Sequence, residues 1–120
     1  MSHPLARFGA RGPRKVNPET LLTRQVRDVL RILMIPHRKV WGGPMSDKGL
    51  PDLIGTVPGT GRAFFCELKV PGNRPSPEQR TFLEEHKAAG ALAFWADSVV
   101  GVVNALKEAG YTPAARLGLP

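Results

Sequence analysis

The residues of this 120-residue chain whose types and spacing suit chemistry are Asp52, Glu67 and Lys69. Two carboxylates set against each other, with an ammonium two residues along, form the minimum apparatus for cation-assisted hydrolysis of a phosphodiester. That reaction needs developing charge neutralised, a water activated and the leaving oxygen stabilised. A divalent cation held by one or two carboxylates does much of this and keeps several waters. A lysine beside it orients the water or stabilises charge on the phosphate.

A hairpin must bring the three together. Asp52 to Val57 (DLIGTV) is a β-rich run, Pro58-Gly59-Thr60-Gly61 is a turn cluster, and Ala63 to Val70 (AFFCELKV) is a second run. Alternation along a strand puts Phe64, Cys66, Leu68 and Val70 on one apolar face, with Phe65, Glu67 and Lys69 on the other. A four-residue turn sets Val57 opposite Arg62, Ile54 opposite Phe65 and Asp52 opposite Glu67. Directly opposed side chains lie ~5 Å apart, where like charges repel. A cation between the two carboxylates removes that conflict.

The flanking elements read as α-β-β-β-α-β-α. Asn17-Pro18-Glu19 starts a helix with a cap, a first-turn proline and an acid at the positive end of the dipole. Leu22, Val26, Val29, Leu30 and Leu33 form its buried stripe, Arg24, Arg27 and Arg31 another face, and Pro36 its expected end. Lys39-Val40-Trp41 reads as a short strand, with Trp41 either core or a surface for stacking a base. Gly42 to Leu50 is a loop, and Lys48 within it is a candidate phosphate contact. Ser76-Pro77-Glu78-Gln79 opens a second helix as a capping box, with Phe82, Leu83 and His86 inward and Gly90 at its end. Ala91 to Ala96 is a buried strand. Asp97 or Ser98 caps a third helix over Val99, Val102, Val103 and Leu106, closed by Gly110.

Length and a hydrophobic content of 42% fit one folded domain. The single cysteine, Cys66, excludes an internal disulfide framework, fits a reducing compartment and reads as a small buried hydrophobe. No apolar run is long enough for a membrane helix, and the N-terminus does not read as a signal peptide. Net charge is +7: residues 1–48 hold ten Lys and Arg against three acids, whereas residues 49–120 hold seven against seven. That asymmetry points to an anionic polymer as partner, or to a solubilising tail. We expect a flexible basic arm over 1–16, a domain over 17–110 and a tail over 111–120.

Pro51-Asp52 followed by Glu67-Leu68-Lys69 resembles the PD-(D/E)xK nuclease signature. The surrounding text, GLPDLIG then FFCELKVPGNRPSPEQRTFLEEHKAAGALAFWADS, is similar to the VRR-NUC (virus-type replication-repair nuclease) branch, over about residues 17–107. The resemblance implies an α/β, restriction-endonuclease-like fold with a mixed central sheet flanked by helices, and a divalent-metal-dependent DNA endonuclease. It implies Mg²⁺ or Mn²⁺ on Asp52, Glu67 and the Leu68 carbonyl, with Glu19 often joining. It makes Lys69 catalytic and adds Gln79, which otherwise reads as a capping residue. Arg24, Arg27, Arg31, Lys48 and Arg74 are the expected DNA contacts. Small members resemble Holliday junction resolvases, which implies a branched substrate and a homodimer; Phe64, Trp95 and the third helix are candidate interface elements. The implied setting is the cytoplasm of a bacterial or phage-infected cell. A non-catalytic DNA-binding module of the same fold, or a nickase or exonuclease, is the competing reading.

Overall fold

A computed structural model describes residues 16–42 and 47–111. The expected basic arm lies outside the described residues except for Val16, as does the expected tail except for Tyr111. The elements are α1 (Pro18–Ile32), β1 (His37–Lys39), β2 (Leu53–Thr56), β3 (Ala63–Leu68), α2 (Pro77–Ala88), β4 (Leu92–Ala96) and α3 (Val99–Glu108). The four strands form one mixed sheet in chain order; β1–β2 and β2–β3 are antiparallel, and β3–β4 is parallel across the α2 crossover. This is the α/β class and element order that the sequence implies.

The β2–β3 register is the one a four-residue turn requires. Ile54 pairs with Phe65 and Leu53 with Cys66, and the Val57 amide donates to the Arg62 carbonyl at 2.8 Å. Alternation then sorts the side chains. Leu53, Phe64, Cys66 and Leu68 meet Leu22, Val26 and Leu30 of α1 and Val102 and Leu106 of α3 in one core. Tyr111 joins that core and donates its hydroxyl proton to the Leu33 carbonyl. On the opposite face Phe65 packs edge-on against Phe82 and His86 of α2, at centroid distances of 5.1 and 4.7 Å. His86 is therefore an aromatic packing residue. Phe64 is fully buried, which removes it from the candidate surface elements.

Local sequence explains the helix limits. The Asn17 side chain accepts from the Glu19 amide at 2.8 Å. Ser76 and Gln79 make the reciprocal capping box, and the Ser98 hydroxyl accepts from the Gly101 amide at 3.0 Å. All three helices end in the same six-to-one and five-to-two pattern of amide-to-carbonyl bonds, in which a residue just past the cap adopts a left-handed conformation. Gly90 and Gly110 serve α2 and α3, at φ 108° and 85°.

In α1 that position is Met34, at φ 62°. The helix consequently ends at Ile32, earlier than Pro36 implies, because Ile35 folds back to bond Leu30 and bury beside it. This early turn also moves β1 forward to His37–Lys39, two residues before the expected Lys39–Trp41 strand. Trp41 falls beyond the strand and is 77% exposed, so its reading as core is overturned.

Candidate active site

Asp52 sits immediately before β2 and ties three strands together. Its carbonyl accepts from the Val40 amide at 2.8 Å, and its Oδ2 accepts from the Leu68 amide at 2.8 Å. With Leu53 paired to Cys66, the next opposed pair is Asp52 and Glu67. Glu67 lies in the centre of the sheet, flanked by β2 and, through its pairing with Trp95, by β4. It is 1% exposed, and its Oε2 accepts no hydrogen bond. Lys69 follows two residues later, held to the ladder by its amide bond to the Ala96 carbonyl at 3.0 Å. Its Nζ stands 3.8 Å from Glu67 Oε2, beyond hydrogen-bond range.

The electrostatics follow from this packing. Burial pushes the Glu67 carboxyl up to about 8, reinforced by the hydrogen bond and negative charge of Asp52 and only partly opposed by Lys69. Burial likewise drives the Cys66 thiol far up, with the charges of Asp52 and Glu67 adding to the effect. Cys66 is thus an inert core thiol behind the carboxylate pair.

A buried carboxylate oxygen without a partner is costly. Two hard oxygen donors facing each other, one of them orphaned, fit a hard divalent cation, for which oxygen is the preferred ligand. Asp52 and Glu67 are the side chains suited to hold it. Among the described residues no three His, Cys, Asp or Glu side chains form a metal-binding group. Glu19 lines a cavity alongside Arg24, Arg27, Arg31, Lys39 and Trp41. Gln79 commits its Oε1 to the Ser76 amide at 2.8 Å, so its own amide protons remain to be donated elsewhere.

The expected DNA contacts are spread over three surfaces. Arg24, Arg27 and Arg31 share the cavity with Glu19. Lys48 lies against the first turns of α2, near Pro77, Glu78 and Phe82. Arg74 lies beside Trp95, with Arg80 and Lys87. Sequence reading missed two members of the first surface. Lys39 places its Nζ 4.8 Å from the Trp41 ring centroid, and His37 Nε2 accepts from Arg27 Nε at 3.3 Å. The spacing Lys39-x-Trp41 was the available signal, since residues two apart share a side of an extended chain. Burial lowers the His37 pKa, aided by the charges of Arg27, Arg31 and Arg38. His37 accordingly stays neutral at pH 7 and keeps its acceptor nitrogen for Arg27.

Fold and centre together define a class: an α/β domain whose mixed sheet carries a buried glutamate, a half-buried aspartate beside it and a lysine at the ends of adjacent strands. The chain belongs to the VRR-NUC family, since the model of the VRR-NUC domain matches residues 16–99. A solved structure of a VRR-NUC domain is similar, with 26% sequence identity and a TM-score of 0.63 over 78% of this chain and 97% of that one. No curated protein matches. Membership makes this a nuclease-type DNA-processing module. No helix among the described residues is long and apolar enough to cross a membrane.

Proposed function

We propose that the protein is a divalent-metal-dependent endodeoxyribonuclease of the PD-(D/E)xK type. In this reading it is selective for branched DNA such as four-way (Holliday) junctions and works as a homodimer with Mg²⁺ or Mn²⁺. The observation that carries the reading is Glu67: buried, beside a second carboxylate, and with an oxygen that accepts no hydrogen bond among the described residues. Asp52, Glu67 and the Leu68 carbonyl would hold the cation. When bound, it supplies charge neutralisation at the phosphate and a more acidic water.

The chain's own groups have separate tasks. Asp52 is oriented by the Leu68 amide, so it is fixed before substrate arrives. Lys69 keeps its side chain about a quarter exposed while Glu67 is shut away. Its ammonium is therefore the group that can meet a phosphate oxygen or orient the attacking water. Gln79 offers its remaining amide protons to the phosphate from the first turn of α2, where the helix dipole also favours negative charge. Arg24, Arg27, Arg31, Lys48 and Arg74 supply backbone contacts that position DNA without reading bases. Two such centres related by a two-fold axis suit paired cuts in a symmetric junction.

The test is cleavage of a panel of four-way junction, flap, linear duplex and single-stranded DNA with Mg²⁺, Mn²⁺ or EDTA. Symmetric cuts in the junction are expected, dependent on the cation. Glu67→Ala and Lys69→Ala abolish cleavage while far-UV circular dichroism and DNA binding persist. Undiminished cleavage by either variant overturns the reading.

A further inference from the structure

We propose that the cavity between α1 and the end of β1 takes up an unpaired nucleotide of the DNA substrate, its base stacked on Trp41 and its phosphate held by Arg24 and Arg27. The proposal rests on the nuclease reading above. It narrows the substrate to DNA with at least one unpaired nucleotide beside the cleaved bond, as at a flap or an opened branch point.

The cavity measures about 410 Å³, within the range of small-molecule sites. Its walls combine the two features that hold single-stranded nucleic acid, a cationic surface and an aromatic platform. The platform is Trp41, which leaves 77% of its surface in water, unusual for a residue generally well buried. The ammonium of Lys39 lies over one face of the ring, 4.8 Å from its centroid, and restrains the indole, which leaves the other face for a base.

The cations are arranged rather than scattered. Arg31 is paired to Asp28 at 2.9 Å, so its charge is largely answered. Arg24 and Arg27 make no ion pair among the described residues. Arg27 is held from behind. His37 Nδ1 donates to the Ile35 carbonyl at 2.8 Å, which leaves Nε2 as the acceptor for Arg27 Nε and the terminal guanidinium nitrogens available for a ligand. His37 is thus a positioning residue. Among the described residues Glu19 is the one acid lining the cavity. It repels a second phosphate and can accept from the exocyclic amine of a base.

The cavity also adjoins the carboxylate pair. Val40 donates its amide to the Asp52 carbonyl at 2.8 Å, and Trp41 is the next residue. A base on Trp41 therefore belongs to a nucleotide near the phosphate presented to Asp52 and Glu67. Bases inside a duplex are stacked on both faces by their neighbours, so an internal paired base has no face to offer the indole, whereas an unpaired one does.

The experiment uses a Trp95→Phe background, which leaves Trp41 as the single indole of the chain. The protein is titrated in EDTA with a short oligothymidylate and with a blunt duplex, reading tryptophan fluorescence and affinity. Quenching by the oligothymidylate and little by the duplex is expected. Trp41→Ala weakens oligothymidylate binding about tenfold, Trp41→Phe much less, and duplex affinity holds. Arg27→Ala and Arg24→Ala each lower the salt dependence of oligothymidylate binding by about one phosphate. Absence of quenching, or a Trp41→Ala variant that binds the oligothymidylate undiminished, overturns the proposal. Cleavage of the branched panel in Mg²⁺ is scored separately. Cleavage with no effect of Trp41 removes this inference and keeps the nuclease. Quenching without any cleavage keeps the binding site and removes the nuclease.

Discussion

Glu67 ties the stability of the fold to pH. Its carboxyl is raised from an ordinary value near 4.5 to about 8, chiefly by burial. Between those values the folded, metal-free chain holds a proton that the unfolded chain has lost, so stability is fully present at low pH and declines as pH rises toward 8. The melting temperature in EDTA is therefore expected to fall from pH 5 to pH 8. Glu67→Gln, neutral throughout, removes that decline and melts higher than the unsubstituted protein at pH 8, by about 4 °C or more. Mg²⁺ raises the melting temperature of the unsubstituted protein more at pH 8 than at pH 5, and does nothing for Glu67→Gln, which also loses cleavage. Calorimetry across this range decides it; a flat profile in EDTA would show that Glu67 is ionised in the metal-free fold. The pairing of Asp52 with Glu67 was legible because hairpin register depends only on turn length. The depth of Glu67 was not, since it depends on β4 arriving alongside after a helical crossover.

At the scale of elements, the legible features were those with local causes. The Asn17 and Ser98 caps, the capping box of Ser76 and Gln79, and the glycine endings of α2 and α3 all depend on residues within a few positions of one another. The end of α1 was misread because Met34 does what Gly90 and Gly110 do elsewhere, and a methionine gives no signal for a left-handed conformation. Met34→Gly is accordingly expected to stabilise the fold by about 1 kcal/mol, relieving a strain that a β-carbon imposes there. The contrary case is Gly55 in β2. A Cβ there would lie 2.1 Å from the Pro36 carbonyl and 3.0 Å from His37 Cα, both backbone atoms of the β1 approach. Gly55→Ala must push β1 off the sheet edge and is expected to cost about 1–3 kcal/mol. Because β1 carries His37 and Lys39 toward the Trp41 cavity, the same substitution should weaken oligothymidylate binding beyond its effect on melting. Urea titration of both variants at one pH measures the pair: a Gly55→Ala chain as stable as the unsubstituted one would mean that β1 is not held at the observed distance.

The molecule as a whole divides its labour by charge. The excess of +7 is carried within residues 1–48, and residues 49–120 balance, although three of the four candidate catalytic residues (Glu67, Lys69 and Gln79) lie well inside that neutral part, with Asp52 near its start. On the proposed function, capture of the polyanion is concentrated in the chain before the hairpin, and hydrolysis within and after it. Two sets stand out among the cations before the hairpin. Arg24, Arg27 and Lys39 line one cavity, whereas Arg7, Arg11, Arg14 and Lys15 precede α1 with no acid among them. Phosphate contacts on a duplex each release about 0.9 of a counterion, so the slope of log affinity against log salt counts them. Removing residues 1–16 deletes four positive charges and leaves the cavity and the carboxylate pair in place. The expected outcome is weaker binding of duplex and branched DNA alike, with a slope shallower by up to about 3–4. At saturating DNA and Mg²⁺ the cleavage rate should be nearly unchanged, because Asp52, Glu67, Lys69 and Gln79 are all retained. Fluorescence anisotropy over a salt series gives the slope, and single-turnover cleavage gives the rate. An unchanged slope would move the electrostatic work onto α1 and the Trp41 cavity, and a collapsed single-turnover rate would mean that the arm helps assemble the centre itself.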